Sequence, residues 1–154
     1  MASKPLAIRM LEQRKVPHEV FSFDAAIRSA AEVARETGMP PARVYKTLVV
    51  EHDPPRGRPY LVMMPADAEI DLKRLAAQVG AKKLRMATHR DAERQTGLQV
   101  GGISALALAG KGFPVLIDRR ALEETHILVS AGQRGVDVSL AVTDLVALTG
   151  AKPV

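Results

Sequence analysis

The sequence predicts an α+β protein built on a mixed sheet or barrel. Segments with strand character fall in adjacent groups separated by helical segments, and no regular βαβα rhythm links them. The 11 glycines and 10 prolines sit largely between these segments, as turns within one folded unit do. At 154 residues, 47% hydrophobic and 25% charged, the chain is expected to form one domain over residues 1–154 with no need of a disulfide or metal. Aromatics make up only 3%, so the core must be aliphatic.

The elements follow in order. Ser3 can cap a first helix carrying Leu6, Met10 and Leu11, with Pro5 tolerated in its first turn and Pro17 beyond its end. His18 to Phe23 alternates as a strand. Ser29 and Glu32 have capping-box spacing before a helix over Ala30–Thr37, which Gly38 ends. Pro40-Pro41 opens a short helical turn. Lys46 to His52 is β-branched and strand-like, Asp53 to Pro59 is a turn, and Tyr60 to Met64 returns as a hairpin partner. Asp71 caps a helix from Leu72 to Val79, closed by Gly80. A short strand over Lys83–Ala87 and a short helix capped by Thr88 with Asp91 lead to Gly97. Gly101 and Gly102 begin a loop. Strands are expected at Pro114–Asp118, His126–Ser130 and Val136–Leu140, the last two joined through Gly132–Gly135. Thr143 caps a final helix ending near Gly150.

Composition removes several chemistries. The chain has no cysteine, which excludes disulfides, thiolate metal sites and a cysteine nucleophile. The four histidines, His18, His52, His89 and His126, lack the i, i+4 spacing of a helical metal pair and read as surface or strand histidines. No GxSxG elbow or GxGxxG fingerprint is present, and Gly110-Lys111-Gly112 fails the phosphate-loop pattern at both ends. No metal or cofactor is therefore expected. No apolar run approaches the roughly 18 residues of a membrane span, and Arg9, Glu12, Arg14 and Lys15 interrupt the N-terminal stretch. The expected location is cytoplasmic, with no membrane partner.

The net charge of +5 is concentrated. Between Leu72 and Arg94 lie seven basic residues (Lys73, Arg74, Lys82, Lys83, Arg85, Arg90, Arg94) against Asp91 and Glu93. Such a segment suits a polyanion, and it equally suits the solvated faces of two helices and a strand.

Three stretches add specificity: Arg43-Val-Tyr-Lys46-Thr-Leu-Val-Val50, Thr96-Gly-Leu-Gln-Val-Gly-Gly102-Ile-Ser, and Ile127-Leu-Val-Ser-Ala-Gly132-Gln-Arg-Gly-Val-Asp137-Val. In this order and spacing they resemble the YbaK/EbsC family, free-standing relatives of the editing domain inserted in bacterial prolyl-tRNA synthetases. The resemblance runs from about Lys4 to Leu148. It implies a barrel-like mixed sheet with short helices packed around it. It also implies hydrolysis of the ester between a wrong amino acid and tRNA(Pro), with Cys-tRNA(Pro) as the expected substrate. Alternatives are a deacylase for another small residue such as Ala-tRNA(Pro), a catalytically silent tRNA- or synthetase-binding module, and an unrelated small-molecule hydrolase. The implied partners are the tRNA(Pro) acceptor end and prolyl-tRNA synthetase.

The resemblance also assigns roles. Lys46 matches the family's functional lysine and suits a tRNA phosphate or the placing of the ester. Gly101 and Gly102 let backbone approach a ligand, and their N–H groups suit an ester oxyanion or the terminal ribose. Asp137 matches an acidic position that would take the substrate's amino group or orient water. Ser104, Ser130 and Arg134 are substrate-binding candidates from the same motifs, and no histidine is placed by sequence to activate Ser104. Phe23 stands where relatives usually carry a tyrosine, and Ala105 where many carry a proline. Both are expected at the pocket, so both bear on which ester is cleaved. In the YbaK pattern the substrate's own thiol attacks its ester, which needs no protein nucleophile.

Overall fold

The computed structural model describes residues 4–154. Helix α1 (Leu6–Gln13) buries Ala7, Ile8 and Leu11. Its N-cap is Pro5, which makes no side-chain cap, and Ser3 lies outside the described residues. Strand β1 (His18–Ser22) and helix α2 (Ala30–Thr37) follow, the latter capped by Ser29, whose hydroxyl accepts from Glu32 N at 3.2 Å. A 3₁₀ turn at Pro41–Arg43 leads into the hairpin β2 (Tyr45–His52) and β3 (Tyr60–Pro65). Helix α3 (Leu72–Val79), strand β4 (Leu84–Met86) and helix α4 (His89–Thr96) come next. Asp71 and Thr88 cap the two helices as the sequence predicts. The chain ends with β5 (Val115–Ile117), β6 (His126–Gln133), β7 (Val136–Ala141), α5 (Val142–Thr149) and β8 (Lys152–Pro153).

Three features depart from the sequence reading. Helix α5 starts one residue before Thr143, with Ala141 at the N-cap and no side-chain cap. Strand β6 runs on through Gly132 to Gln133 with a register shift, so the β6–β7 turn is only Arg134-Gly135. The 3₁₀ turn Arg119–Glu123 and strand β8 were not expected.

The strands form two sheets. One has the order β1-β7-β6, all antiparallel; the other has the order β4-β2-β3-β5-β8, with β3-β5 and β5-β8 parallel. The mixed sheet is as expected, but the barrel does not close. A single parallel bridge between Val44 and Leu128 joins the sheets.

Side-chain alternation sorts the apolar residues into layers. Tyr45, Val49, Leu61, Met63, Ile117, Ile127, Val129, Val138 and Leu140 point inward to the main core between the sheets. Val50, Val62, Met64 and Leu116 point outward to meet α3 through Leu75 and Ala76. Val44 and Leu128, beside the bridge, point outward to meet Val33 and Ala34 of α2. Ile103 to Leu108 is a buried loop that plugs the main core.

Gly135 ties β1 to the β6–β7 turn: its carbonyl accepts from Phe23 N at 2.9 Å, and its φ is +83°. A Cβ there would sit 2.8 Å from the Phe23 carbonyl oxygen and 3.3 Å from Ala25 Cα. Both atoms are backbone and cannot swing away. Gly135→Ala is expected to cost roughly 2–4 kcal/mol through backbone strain and overpacking together. Thermal unfolding followed by circular dichroism should show a lower Tm; an unchanged Tm would mean that the turn relaxes freely.

Candidate active site

Beyond the Val44–Leu128 bridge, β2 and β6 separate, and a cavity of about 330 Å³ lies at the fork. Its lining includes Val44 to Val49 of β2, Ser130 of β6 and Asp137 of β7. The start of α2 (Arg28–Ala31, Val33), the β4–α4 corner (Met86, Ala87, His89, Ala92) and the glycine loop (Val100, Gly101, Ile103) complete it. That volume is at the small end of ligand cavities.

Lys46 and Asp137 both belong to the outer faces of their sheets. Lys46 alternates with Leu48 and Val50, away from the main core, and its Nζ donates to Ala68 O at 2.8 Å. An ammonium has three donors, so two remain for a ligand. Asp137 sits on the central strand of its sheet, opposite Phe21 on one side and Ser130 on the other. It is 6% exposed, and no side chain among the described residues forms a salt bridge with it. Burial pushes its carboxyl up to about 7, because the charged form loses hydration without a compensating cation. A buried carboxyl tuned in this way, facing a cavity, marks a functional site. Ser130 Oγ accepts from Gly132 N at 3.2 Å, which fixes its rotamer beside Asp137.

The glycine loop is pinned from two sides. Val100 N donates to Glu93 Oε2 at 2.8 Å, and Arg134 Nε donates to Val100 O at 2.8 Å. Gly101 has φ +92°, and a Cβ would meet Arg28 Cβ at 3.2 Å. Gly102 is packed on the Gln133–Arg134 backbone, where a Cβ would come within 3.0 Å of Arg134 N. Its own N–H donates to Gln99 O at 2.7 Å. That N–H is therefore committed to the loop and cannot serve as an oxyanion donor. Of the two glycines, only Gly101 lines the cavity.

The structure thus brings Lys46, Gly101, Ser130 and Asp137 together. It places the other sequence candidates elsewhere. Ser104 is buried at 1% exposure, and its Oγ accepts from Ala107 N at 3.1 Å to cap the core-plugging loop. Arg134 supports the glycine loop from behind. Phe23 packs in the cluster under α2, and Ala105 is buried in the main core. Neither lines the cavity itself; each packs in a cluster that includes lining residues, Phe23 with Val33 and Val44, and Ala105 with Val49 and Ile103.

Sequence reasoning missed Arg28, Ser29, Thr47 and His89 as lining residues, along with the support from Glu93. His89 was read as an ordinary surface histidine; it is exposed, directly follows the Thr88 cap, and faces the cavity because β4 delivers α4 there. No local pattern marks these positions, since their proximity depends on strands far apart in sequence. The basic segment is partly neutralised: Lys83 and Arg85 pair with Asp53 at 3.4 Å, Arg85 with Glu51 at 2.8 Å, and Arg94 with Asp91 at 3.1 Å. Its β4–α4 portion nevertheless forms one wall of the cavity.

Among the described residues, no group of three or more His, Cys, Asp or Glu side chains is placed to hold a metal. No described helix is long and apolar enough to cross a membrane.

Comparison with known proteins adds four findings. Residues 24–148 match the family described as the aminoacyl-tRNA editing domain. The chain is 36% identical over 148 residues to a protein of Enterococcus faecalis provisionally named Cys-tRNA(Pro)/Cys-tRNA(Cys) deacylase EbsC, covering 95% of this chain and 88% of that one. It is 31% identical over 112 residues to the proline--tRNA ligase of Acidithiobacillus ferrooxidans, covering 73% of this chain but only 19% of the ligase. A crystal structure provisionally described as a trans-editing enzyme for prolyl tRNA synthetase superposes with a TM-score of 0.81 at 25% identity, covering 99% of this chain and 97% of that one.

Proposed function

The chain belongs to the aminoacyl-tRNA editing domain family, and from that premise we propose that it is a free-standing aminoacyl-tRNA deacylase that clears cysteine from tRNA(Pro). The observation that carries the reading is that Lys46, Gly101, Ser130 and Asp137 line one cavity together. It offers a cation, a close backbone approach and a desolvated carboxylate, the groups needed to hold an aminoacyl ester. Residues 1–154 act as one domain in this reading, with the tRNA acceptor end as substrate and prolyl-tRNA synthetase as a second partner.

The need for such an enzyme is physical. A synthetase pocket for proline discriminates poorly against residues of similar or smaller size, since one methylene is worth only about 1–3 kcal/mol. A second, hydrolytic site supplies the missing selectivity. Asp137 receives the substrate's α-ammonium. That cation offsets the desolvation that raises the carboxyl's pKa in the empty cavity, so binding pulls it back down. Lys46 meets the terminal phosphate or the ester itself, and Gly101 lets the adenosine end come close. The substrate thiol attacks its own carbonyl carbon, forming the C–S bond. Collapse of the oxyanion then breaks the ester C–O bond, the tRNA hydroxyl leaves with the proton given up by the thiol, and water opens the released thiolactone to cysteine.

The test is deacylation of tRNA(Pro) charged separately with cysteine, alanine or proline. Faster hydrolysis of the cysteine ester, with the proline ester spared, is expected. Preference for the alanine ester would move the chain to a sister specificity in which a bound water attacks. tRNA binding without turnover would make it a silent binding module.

A further inference from the structure

The cavity has one bank whose chemistry is main-chain rather than side-chain. Residues of an antiparallel strand turn both backbone groups to alternate sides. Just before β2, Val44 O accepts from Ala66 N at 2.7 Å on the β3 side, while on β2 Val49 O accepts from Ala87 N at 3.0 Å on the opposite side. Tyr45, Thr47 and Val49 therefore turn their backbone groups away from β3, toward the fork. The bridge to Leu128 occupies that edge at the strand's start. β4 pairs only with Val50, Glu51 and His52, and Ala87 extends the contact back to Val49. Thr47 lies between these two covered stretches. Among the described residues its N–H and C=O have no ladder partner, and Thr47 lines the cavity.

An unpaired strand edge facing water needs no explanation, but one facing a cavity is a ready set of oriented dipoles. The flanking pairings, Lys46 with Met64 and Leu48 with Val62, hold this N–H rigidly in place. A rigid donor that needs no reorganisation is the requirement for stabilising charge that develops in a transition state. The Gly102 N–H cannot fill the role, because it is already committed to Gln99 O.

We propose that the main-chain N–H of Thr47, at the unpaired edge of β2, is the donor that holds the ester carbonyl oxygen as it becomes an oxyanion. This deepens the deacylase reading and rests on it. When the nucleophile bonds to the carbonyl carbon, the π electrons pass to oxygen, which sits against Thr47 N–H. When they return, the ester C–O bond breaks. The acyl group then lies between the β2 edge and Asp137, with its ammonium on the acidic side and its carbonyl oxygen on the amide side.

The experiment replaces the Lys46–Thr47 peptide bond by an ester, using the α-hydroxy acid analogue of threonine, which deletes the N–H and keeps the side chain. Expected is a kcat lower by about 100-fold or more, with KM little changed and the circular dichroism spectrum intact. A kcat within about threefold of the parent overturns the proposal. A second measurement does not depend on the altered chain folding. The ¹⁵N-labelled parent is titrated with an amide-linked aminoacyl-adenosine, which resists hydrolysis. A downfield shift of the Thr47 amide proton supports the proposal, and an unmoved Thr47 amide with Gly101 perturbed overturns it. The parent's own turnover separates the two ideas: no turnover counts against the deacylase reading and leaves the titration to decide this one, whereas turnover that survives loss of the N–H counts against this inference alone.

Discussion

Lys46→Ala is expected to lower kcat/KM by roughly two orders of magnitude, the scale of losing one well-placed electrostatic contact to a reacting group. The fold should survive. Lys46 is half-buried, and its side chain's only hydrogen bond among the described residues is to Ala68 O at 2.8 Å. Loss of such a bond costs roughly 0.5–1.5 kcal/mol, a few degrees in Tm for a chain of this size. Single-turnover deacylation and a melting curve on the same preparation separate the two effects. Lys46→Arg adds information: a guanidinium keeps the charge but presents a planar fork in place of a compact ammonium. Partial activity in Lys46→Arg would point to a phosphate contact, and none would point to placing of the ester. Full activity in Lys46→Ala would remove Lys46 from the mechanism.

Asp137→Asn should move activity and stability in opposite directions. Desolvation pushes the folded-state carboxyl up to about 7, from an ordinary value of 3.8. The folded protein thus binds the proton more tightly than the unfolded chain. Stability from this group is fully present below about pH 4 and is lost as the pH rises through about 7. That rise corresponds to about 4 kcal/mol at most. Asparagine cannot ionise, so the variant should melt higher than the parent at pH 8 and differ little at pH 4. Its activity should fall steeply, because the substrate ammonium loses its counter-charge. The parent's kcat/KM should rise with pH through about 7 as Asp137 ionises. The α-amino group of the substrate also titrates near this range. The variant tells them apart, since a limb due to the substrate persists in Asp137→Asn and a limb due to Asp137 disappears. A variant no more stable at pH 8 would show that the carboxyl is hydrated in solution.

Helices α2, α3 and α4 were legible because their signals are local. Ser29, Asp71 and Thr88 each hold an N–H three residues on, and Gly38, Gly80 and Gly97 take the left-handed conformation that ends the helix. The β2–β3 hairpin was legible because a β-branched run and its return flank a Pro- and Gly-rich turn. Helix α5 was misread by two residues, its N-cap being Ala141 rather than Thr143, because its N-terminus carries no side-chain cap. Strand β8 was missed because two residues hold no periodicity; only pairing with β5 makes them a strand.

For the site, the sequence by itself determined the residue types and their order. It supplied a lysine opening a strand, a glycine pair, and a carboxylate after a turn, and through their spacing the family. It also determined what chemistry was unavailable, since a chain without cysteine has no thiolate to offer. Tertiary structure decided which candidates meet. Lys46 and Asp137 are 91 positions apart, and what joins them is the bridge between Val44 and Leu128, with the fork that opens beyond it. Ser104 and Gly102 look in sequence as suitable as Ser130 and Gly101. Packing removed them, by spending their hydrogen bonds on Ala107 and Gln99. Burial raised the Asp137 carboxyl, and the gap between β4 and the bridge left Thr47 unpaired. Desolvation and unpaired edges belong to the assembled layers, where no single stretch of sequence records them.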